Sequence, residues 1–195
     1  MSIFVVIEGI DGSGKTTLAK ALNDKLESEN IPVVLSREPT KGPHGKKIRE
    51  LTKVNRPSPE EELRLFVEDR KEHVRDVIFP SLKDKKAVIL DRYYYSTMAY
   101  QGASGISMDH VKKAHEDFII DPDLLVILDL EVDEALARIE GRGAGDGFEK
   151  KDFLEKVLVN YRAIKHHNLL ILDASSTTEE MLEDIWTTLC DMGIK

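Results

Sequence analysis

The sequence predicts an α/β protein: a doubly wound, mostly parallel five-stranded sheet flanked by helices. Three observations predict it. Five short runs are continuously apolar instead of alternating with polar residues, as strands buried on both faces require. Longer amphipathic stretches separate them, and parallel strands need crossovers of that length. Strand and helix signals then alternate along the chain, the order of a doubly wound sheet.

Taken in order, residues 3–7 form the first apolar run, and Leu18, Leu22 and Leu26 recur on one helical face behind it. Residues 33–35 give the second strand. Pro59-Glu60-Glu61 opens a helix running to about Phe79, with proline and acidic groups where a helix start favours them. Residues 87–90 form the third strand and 109–118 a helix. Residues 124–130, interrupted by Asp129, form the fourth strand. Helices over 133–140 and 151–165, a strand over 169–172 and a helix over 178–192 complete the chain.

A length of 195 residues fits one domain. Hydrophobic residues at 41% and charged residues at 33% are an ordinary soluble balance. The net charge of -8 argues against non-specific nucleic-acid binding. Cys190 has no second cysteine to pair with, so a reducing compartment is expected, with Cys190 a small core residue of an apolar C-terminal helix. The run over 3–7 is broken by Glu8, too early for a membrane span or a signal-peptide core. The expectation is a cytoplasmic protein with no membrane or nucleic-acid partner.

Gly9-Ile10-Asp11-Gly12-Ser13-Gly14-Lys15-Thr16 matches G-x-x-x-x-G-K-[ST] between a strand and a helix, the P-loop of NTPases. Its glycines let the backbone approach phosphate oxygens, and consecutive N–H groups with a helix N-terminus face the anion. Lys15 reaches the outer phosphates and the Thr16 hydroxyl is the expected Mg²⁺ ligand. Asp91, at the end of the third strand, is a second candidate for holding Mg²⁺. Thr17 extends the cradle into the helix.

A P-loop alone leaves kinase, GTPase switch and ATP-driven motor open. No NKxD-type guanine-reading segment is present, and the chain is too short for most motors. Arg37-Glu38-Pro39 follows the second strand, at the sheet edge where α/β ligands bind. Phe66 and Arg70 lie four residues apart on a helix, so a phenyl and a guanidinium on one face suit a nucleobase. The same spacing equally suits a core phenylalanine and a solvated arginine. Further on, Ser96 and Tyr100, and Thr97 and Gln101, share helical spacing. Gln101 both donates and accepts, matching the N3–H and O4 edge of a pyrimidine-dione, while Tyr93, Tyr94 and Tyr95 equally suit partly buried packing.

Together these segments resemble the thymidylate (dTMP) kinase family over nearly the whole chain. The resemblance is carried by residues 8–17, Arg37-Glu38-Pro39, 45–50, 65–70, Asp91 to Gln101 with its DRYxxSxxAYQ string, Pro122-Asp123-Leu124 with Leu128-Asp129, and 138–149. It implies a P-loop kinase fold, a homodimer, and transfer of the γ-phosphoryl of ATP to dTMP with Mg²⁺, giving dTDP for dTTP synthesis. It also implies a single domain over 1–195, a monophosphate-binding region over about 37–80 and a lid over about 138–150. Phe66 then stacks on thymine, Arg70 donates to O4, and Gln101 reads N3/O4 with Thr97 nearby. Arg92 and Arg49 hold the dTMP phosphate, Asp11 accepts the sugar 3′-OH, Tyr100 crowds the 2′ position, and Glu38 sits near sugar and phosphate. Pro39 is expected after a cis peptide.

Two dianionic phosphates must meet, so cations are needed between them. The variable P-loop positions Ile10, Asp11, Gly12 and Ser13 supply none. In the family that this chain resembles, such an arginine comes from the P-loop or from the lid, so the resemblance implies a lid arginine, with Arg142 first and Arg138 second. The chain departs from the family's usual Arg-Glu-Pro-Gly-Gly-Thr by reading Thr40-Lys41-Gly42 after Pro39, and has Gly147 where an arginine often precedes Phe148-Glu149. Two other readings remain: a broader pyrimidine nucleotide kinase, and a non-catalytic ATP-binding regulatory module.

Overall fold

The first apolar run forms β1 (Phe4–Gly9), followed by α1 (Lys15–Ser28) and β2 (Val33–Arg37). Helices α2 (Pro43–Val54), α3 (Pro59–His73) and α4 (Phe79–Lys83) lead to β3 (Ala87–Asp91). Then come α5 (Tyr94–Ala103), α6 (Met108–Lys113), β4 (Leu124–Asp129), α7 (Val132–Glu140), α8 (Phe148–Ala163), β5 (Leu169–Asp173) and α9 (Thr178–Asp191). This computed structural model describes residues 2–54, 57–140 and 148–194, with side chains described throughout except at 52–54 and 148–150.

The five strands are all parallel, in the order β2-β3-β1-β4-β5. β1 is central and wholly buried, as are β3 and nearly all of β4. The expectation that every strand is buried on both faces fails at the two edges. Leu35 on β2 is 40% exposed and Ile171 on β5 is 53% exposed, because an edge strand lacks one neighbour and its flanking helices cover it less. Leu18, Leu22 and Leu26 are fully buried under the sheet, and truncating one of them would cost about 2–5 kcal/mol.

Register fixes what surrounds the P-loop. Ile7 pairs with Asp91 on one side and Val126 on the other, and Gly9 pairs with Leu128. The loop therefore leaves the carboxyl edge of the sheet level with Asp91, where α/β ligands bind.

The helix starts follow their chemistry. Ser58 caps α3 by accepting from the Glu61 N–H at 3.2 Å, with Pro59 and Glu60–Glu62 in the first turn. Thr177 and Glu180 close a reciprocal capping box on α9. The long helix expected to run to about Phe79 is interrupted by a five-residue π-helical segment, Val74–Ile78. The helix expected over 109–118 ends at Lys113. There the inward-turned His115 ring donates from Nδ1 to the Val111 carbonyl at 2.7 Å, while its own backbone N–H goes to Lys112. The side chain takes the acceptor that a continuing α-helix would use. Cys190 is exposed; Met181, Ile185 and Leu189 form the buried side of α9. The expected core role for Cys190 is thus incorrect, since the helix turns that position outward.

Candidate active site

Lys15 begins α1 directly after the phosphate loop, and its side chain folds back over the loop. Nζ donates to the Ile10 carbonyl at 2.7 Å and lies 3.5 Å from Ser13 Oγ. Burial pushes its ammonium down to about 7, with the Arg92 charge adding to the effect against the pull of Asp11, Asp91 and Glu8. Gly12 has φ +87°, and a Cβ there would come within 2.6 Å of the Ala135 carbonyl oxygen on α7. Glycine is required on both counts.

Thr16 and Asp91 meet as the register predicts. Thr16 Oγ1 donates to Asp91 Oδ2 at 2.6 Å, and the buried Asp91 Oδ1 has no hydrogen-bond partner. An orphaned carboxylate oxygen beside a P-loop threonine fits Mg²⁺, whose other ligands come from phosphate and water. Among the described residues, no group of three or more His, Cys, Asp or Glu is placed to hold an ion without such help.

Glu8, the penultimate residue of β1, organises the next wall of the site. Oε1 accepts from the backbone N–H of Tyr93 at 2.7 Å and of Ser96 at 3.0 Å, while Oε2 accepts from Ser96 Oγ and Tyr161 OH at 2.6 and 3.0 Å. Tyr93 is the N-cap of α5 and its own side chain does not cap. Glu8 therefore caps α5 from a neighbouring strand, putting an anion on the Tyr93 N–H and sharing the Ser96 N–H with the Tyr93 carbonyl. Burial raises its pKa despite these bonds and the Arg92 charge.

Arg92 sits between β3 and α5 with φ +75°, a conformation that costs a non-glycine residue about 1–3 kcal/mol. Its N–H donates to the Ile7 carbonyl, Nη1 donates to Ser96 Oγ at 3.0 Å, and Nη2 is hydrogen-bonded to Asp11 Oδ1. Its guanidinium also lies 5.3 Å from the centre of the Tyr100 ring. Tyr100 OH accepts from the Asp11 N–H at 3.2 Å. Burial raises the Asp11 pKa, but the Arg92 and Lys15 cations outweigh it and hold the carboxyl below its usual range.

Beside this group opens a cleft of about 270 Å³ lined by Asp11, Glu38, Pro39, Arg49, Phe66, Arg70, Arg92, Thr97, Tyr100 and Gln101, with Ile48, Glu62, Tyr93 and Ser96. Every residue expected to bind dTMP is in that set. Arg70 is not a solvated charge: it is 1% exposed. Its Nε and Nη2 contact Glu38 Oε2 at 2.7 and 2.5 Å, and Nη1 donates to His115 Nε2 at 2.6 Å and to Thr97 Oγ1 at 3.3 Å. Because His115 Nδ1 donates to a carbonyl, its Nε2 is the acceptor. Burial, reinforced by Arg70, lowers the pKa of this imidazole to about 4, so the ring stays neutral. Glu38 Oε1 accepts from His73 Nδ1 at 2.9 Å, and burial of the Glu38 carboxyl is outweighed by Arg70 and His73, which lower its pKa.

The peptide between Glu38 and Pro39 is cis, as expected. Thr40, where the family often has glycine, is clamped by the buried Asp69: N–H to Oδ2 at 2.8 Å and Oγ1 to Oδ1 at 2.6 Å. A Cβ on Gly45 would come within 2.0 Å of the Thr40 carbonyl oxygen, so only glycine lets α2 approach this turn. Arg49, on α2, donates to the Pro39 carbonyl at 2.9 Å. Arg138 donates to Glu134 Oε1 at 2.7 Å and the Ala174 carbonyl at 2.9 Å, next to β5. Arg142 lies outside the described residues.

Five supporting residues escape sequence reasoning: Glu8, Glu62, Asp69, His73 and His115. Glu8 carried a signal, a carboxylate closing an otherwise apolar buried run. The other four sit on or near helices at unremarkable spacing, and only tertiary packing brings them to the cleft.

A family profile described as thymidylate kinase matches residues 7–185. The chain is 41% identical to a thymidylate kinase of Brachyspira hyodysenteriae, across 97% of this chain and 94% of that one. It is 44% identical to a thymidylate kinase of Xanthomonas campestris pv. campestris, across 92% and 79%, and 42% identical to one of Xanthomonas oryzae pv. oryzae over the same shares. With a P-loop at the carboxyl edge of a parallel sheet, a base-sized cleft beside it and a family profile spanning most of its length, this chain belongs to the thymidylate kinase family.

Proposed function

We infer that this chain transfers the γ-phosphoryl group of ATP to dTMP, releasing ADP and dTDP, with Mg²⁺. The observation that carries this reading is the pairing of a buried donor with a buried open acceptor in one cleft. Arg70 offers N–H groups, and Gln101 Oε1 is buried with no partner. A pyrimidine-2,4-dione presents O4 and N3–H to such a pair.

In this reading Phe66 stacks on the thymine ring, and Thr97 borders its O4 edge beside Arg70. Arg92 and Arg49 hold the dTMP phosphate at the mouth of the cleft. Asp11, kept ionised by Arg92 and Lys15, accepts from the sugar 3′-OH, while Tyr100 crowds the 2′ position. Glu38 holds Arg70 and stands beside sugar and phosphate. The P-loop backbone from Gly9 to Thr17, with Ile10, Gly12, Ser13 and Gly14, cradles the ATP phosphates, and Lys15 turns from the Ile10 carbonyl to them.

An oxygen of the dTMP phosphate attacks the γ-phosphorus as the bond to the β,γ-bridging oxygen breaks. Positioning and charge neutralisation supply most of the catalysis for such a transfer. Thr16 and Asp91 would hold Mg²⁺, which would supply charge neutralisation on the ATP phosphate oxygens. The lid over about 138–150 brings a further cation, Arg142 first and Arg138 second. Among the described residues no helix is long and apolar enough to cross a membrane, and nucleotide synthesis with one free thiol fits the cytoplasm. The homodimer that the family resemblance implies would offer cover to Phe79, 56% exposed at the start of α4; light scattering tests it.

Arg70→Ala tests the base-reading part of this assignment. The dTMP KM should rise at least about tenfold with the ATP KM within about twofold. An equal rise in both contradicts it.

A further inference from the structure

We propose that Glu62 sets the pyrimidine specificity of the cleft by fixing which end of the Gln101 amide faces the ligand. Glu62 opens α3 and Gln101 lies in the last turns of α5; they are 4% and 1% exposed. Gln101 Nε2 donates to Glu62 Oε2 at 2.8 Å, and Gln101 Oε1 is left buried and unpartnered. Both side chains line the cleft with Phe66 and Arg70.

A carboxylate only accepts, so it takes the NH₂ end of the amide and turns the carbonyl to the ligand. Arg70, committed to Glu38, His115 and Thr97, keeps a second Nη2 hydrogen to donate. The cleft thus offers one donor beside one acceptor. A pyrimidine-2,4-dione matches this edge with C4=O and N3–H. A 4-aminopyrimidine opposes it twice, setting its amino group against Arg70 and its N3 lone pair against Gln101 Oε1. Flipping the amide to receive that N3 would place two acceptors, Gln101 Oε1 and Glu62 Oε2, against each other. Glu62 is therefore a positioning residue acting through Gln101. The proposal rests on the dTMP reading of this cleft.

The test compares kcat/KM for dTMP and dCMP in wild type, Glu62→Gln and Glu62→Asp, with ATP KM and circular dichroism as controls. Glu62→Gln can accept or donate and so permits the flipped amide; its dCMP/dTMP ratio should rise at least about tenfold. Glu62→Asp remains acceptor-only and should lose dTMP efficiency without gaining dCMP. A ratio unchanged in Glu62→Gln, or raised equally in both variants, overturns the proposal while leaving the dTMP assignment intact. A wild type that uses dCMP as well as dTMP defeats the dTMP reading itself. A binding measurement on unaltered protein covers the case of a poorly folded variant. By calorimetry, N3-methyl-dTMP should bind at least about thirtyfold more weakly than dTMP; equal affinity overturns the acceptor role on which Glu62 acts.

Discussion

The Glu38 carboxylate contacts the Arg70 guanidinium at 2.5 and 2.7 Å while the two side chains are 2% and 1% exposed. Removing one partner of such a pair strands the other charge away from water, at a cost of about 3–5 kcal/mol. Glu38→Ala should lower unfolding stability by that amount in a denaturant titration and raise the dTMP KM more than the ATP KM. Stability within about 1 kcal/mol of wild type would show that water reaches Arg70 once Glu38 is gone.

Lys15 has an ammonium brought down to about 7 by burial, against about 10.4 in an unfolded chain. Between those values the unfolded chain binds more protons, so this residue makes stability rise with pH from about 7 to about 10. Phosphate oxygens would favour the charged form, so ATP binding should take up a proton at pH 8 and less at pH 6. Calorimetry in buffers of different ionisation enthalpy reads this directly. Lys15→Ala should abolish turnover while keeping the fold, and should remove the proton uptake. Unchanged uptake would assign it to another group.

Glu8 offers a stability test separate from substrate. Glu8→Ala removes the acceptor of the Tyr93 N–H and one acceptor of the Ser96 and Tyr161 hydroxyls, while the Ser96 N–H keeps the Tyr93 carbonyl at 3.1 Å. The cost should be about 2–4 kcal/mol in a thermal or denaturant melt, and Glu8→Gln, which keeps one carbonyl acceptor, should cost less. Burial raises the Glu8 pKa, so the native state binds the extra proton and this residue makes stability fall as pH rises through the window above about 4.3. Glu8→Gln should flatten that slope. Equal melts for all three proteins would contradict the capping role.

The strands were legible because burial writes itself into continuous apolar runs; 87–90 and 169–172 each lie within one residue of the observed β3 and β5. The phosphate loop was legible because its glycines and lysine are contiguous. Helix α2 is not evident from the sequence, since Ile48, Leu51 and Val54 are its few apolar residues among charged ones and Gly45 lowers its helix propensity; the close approach of Gly45 to Thr40 fixes its place. The spacing of Phe66 and Arg70 also suits a core phenylalanine and a solvated arginine; in the fold Arg70 is buried, Phe66 is half-buried, and both line the cleft. The expected core place of Cys190 fails because the apolar character of α9 belongs to Met181, Ile185 and Leu189, on the side turned inward.

Asp91 and Thr16 provide the metal test. Asp91→Asn replaces the orphaned oxygen or its partner by a neutral group and should raise the Mg²⁺ concentration for half-maximal rate about 10–100-fold. Mn²⁺ binding in the presence of ADP, followed by electron paramagnetic resonance, should weaken in parallel. Loss of rate with normal Mn²⁺ binding would assign Asp91 to orienting Thr16 alone.

The identity of the acceptor, dTMP, can be read directly from the products. Purified protein with ATP and Mg²⁺ should be offered dTMP, dUMP, UMP, dCMP, AMP and thymidine in parallel, with nucleotide products separated directly. dTDP should be the dominant product; dUMP should be weaker by no more than the roughly 10–200-fold that one methyl group allows, and thymidine should be inert. Equal use of dUMP would make the enzyme a broader pyrimidine nucleotide kinase. ATP hydrolysis with no phosphorylated acceptor would rule out a dTMP kinase and leave only the phosphate loop standing.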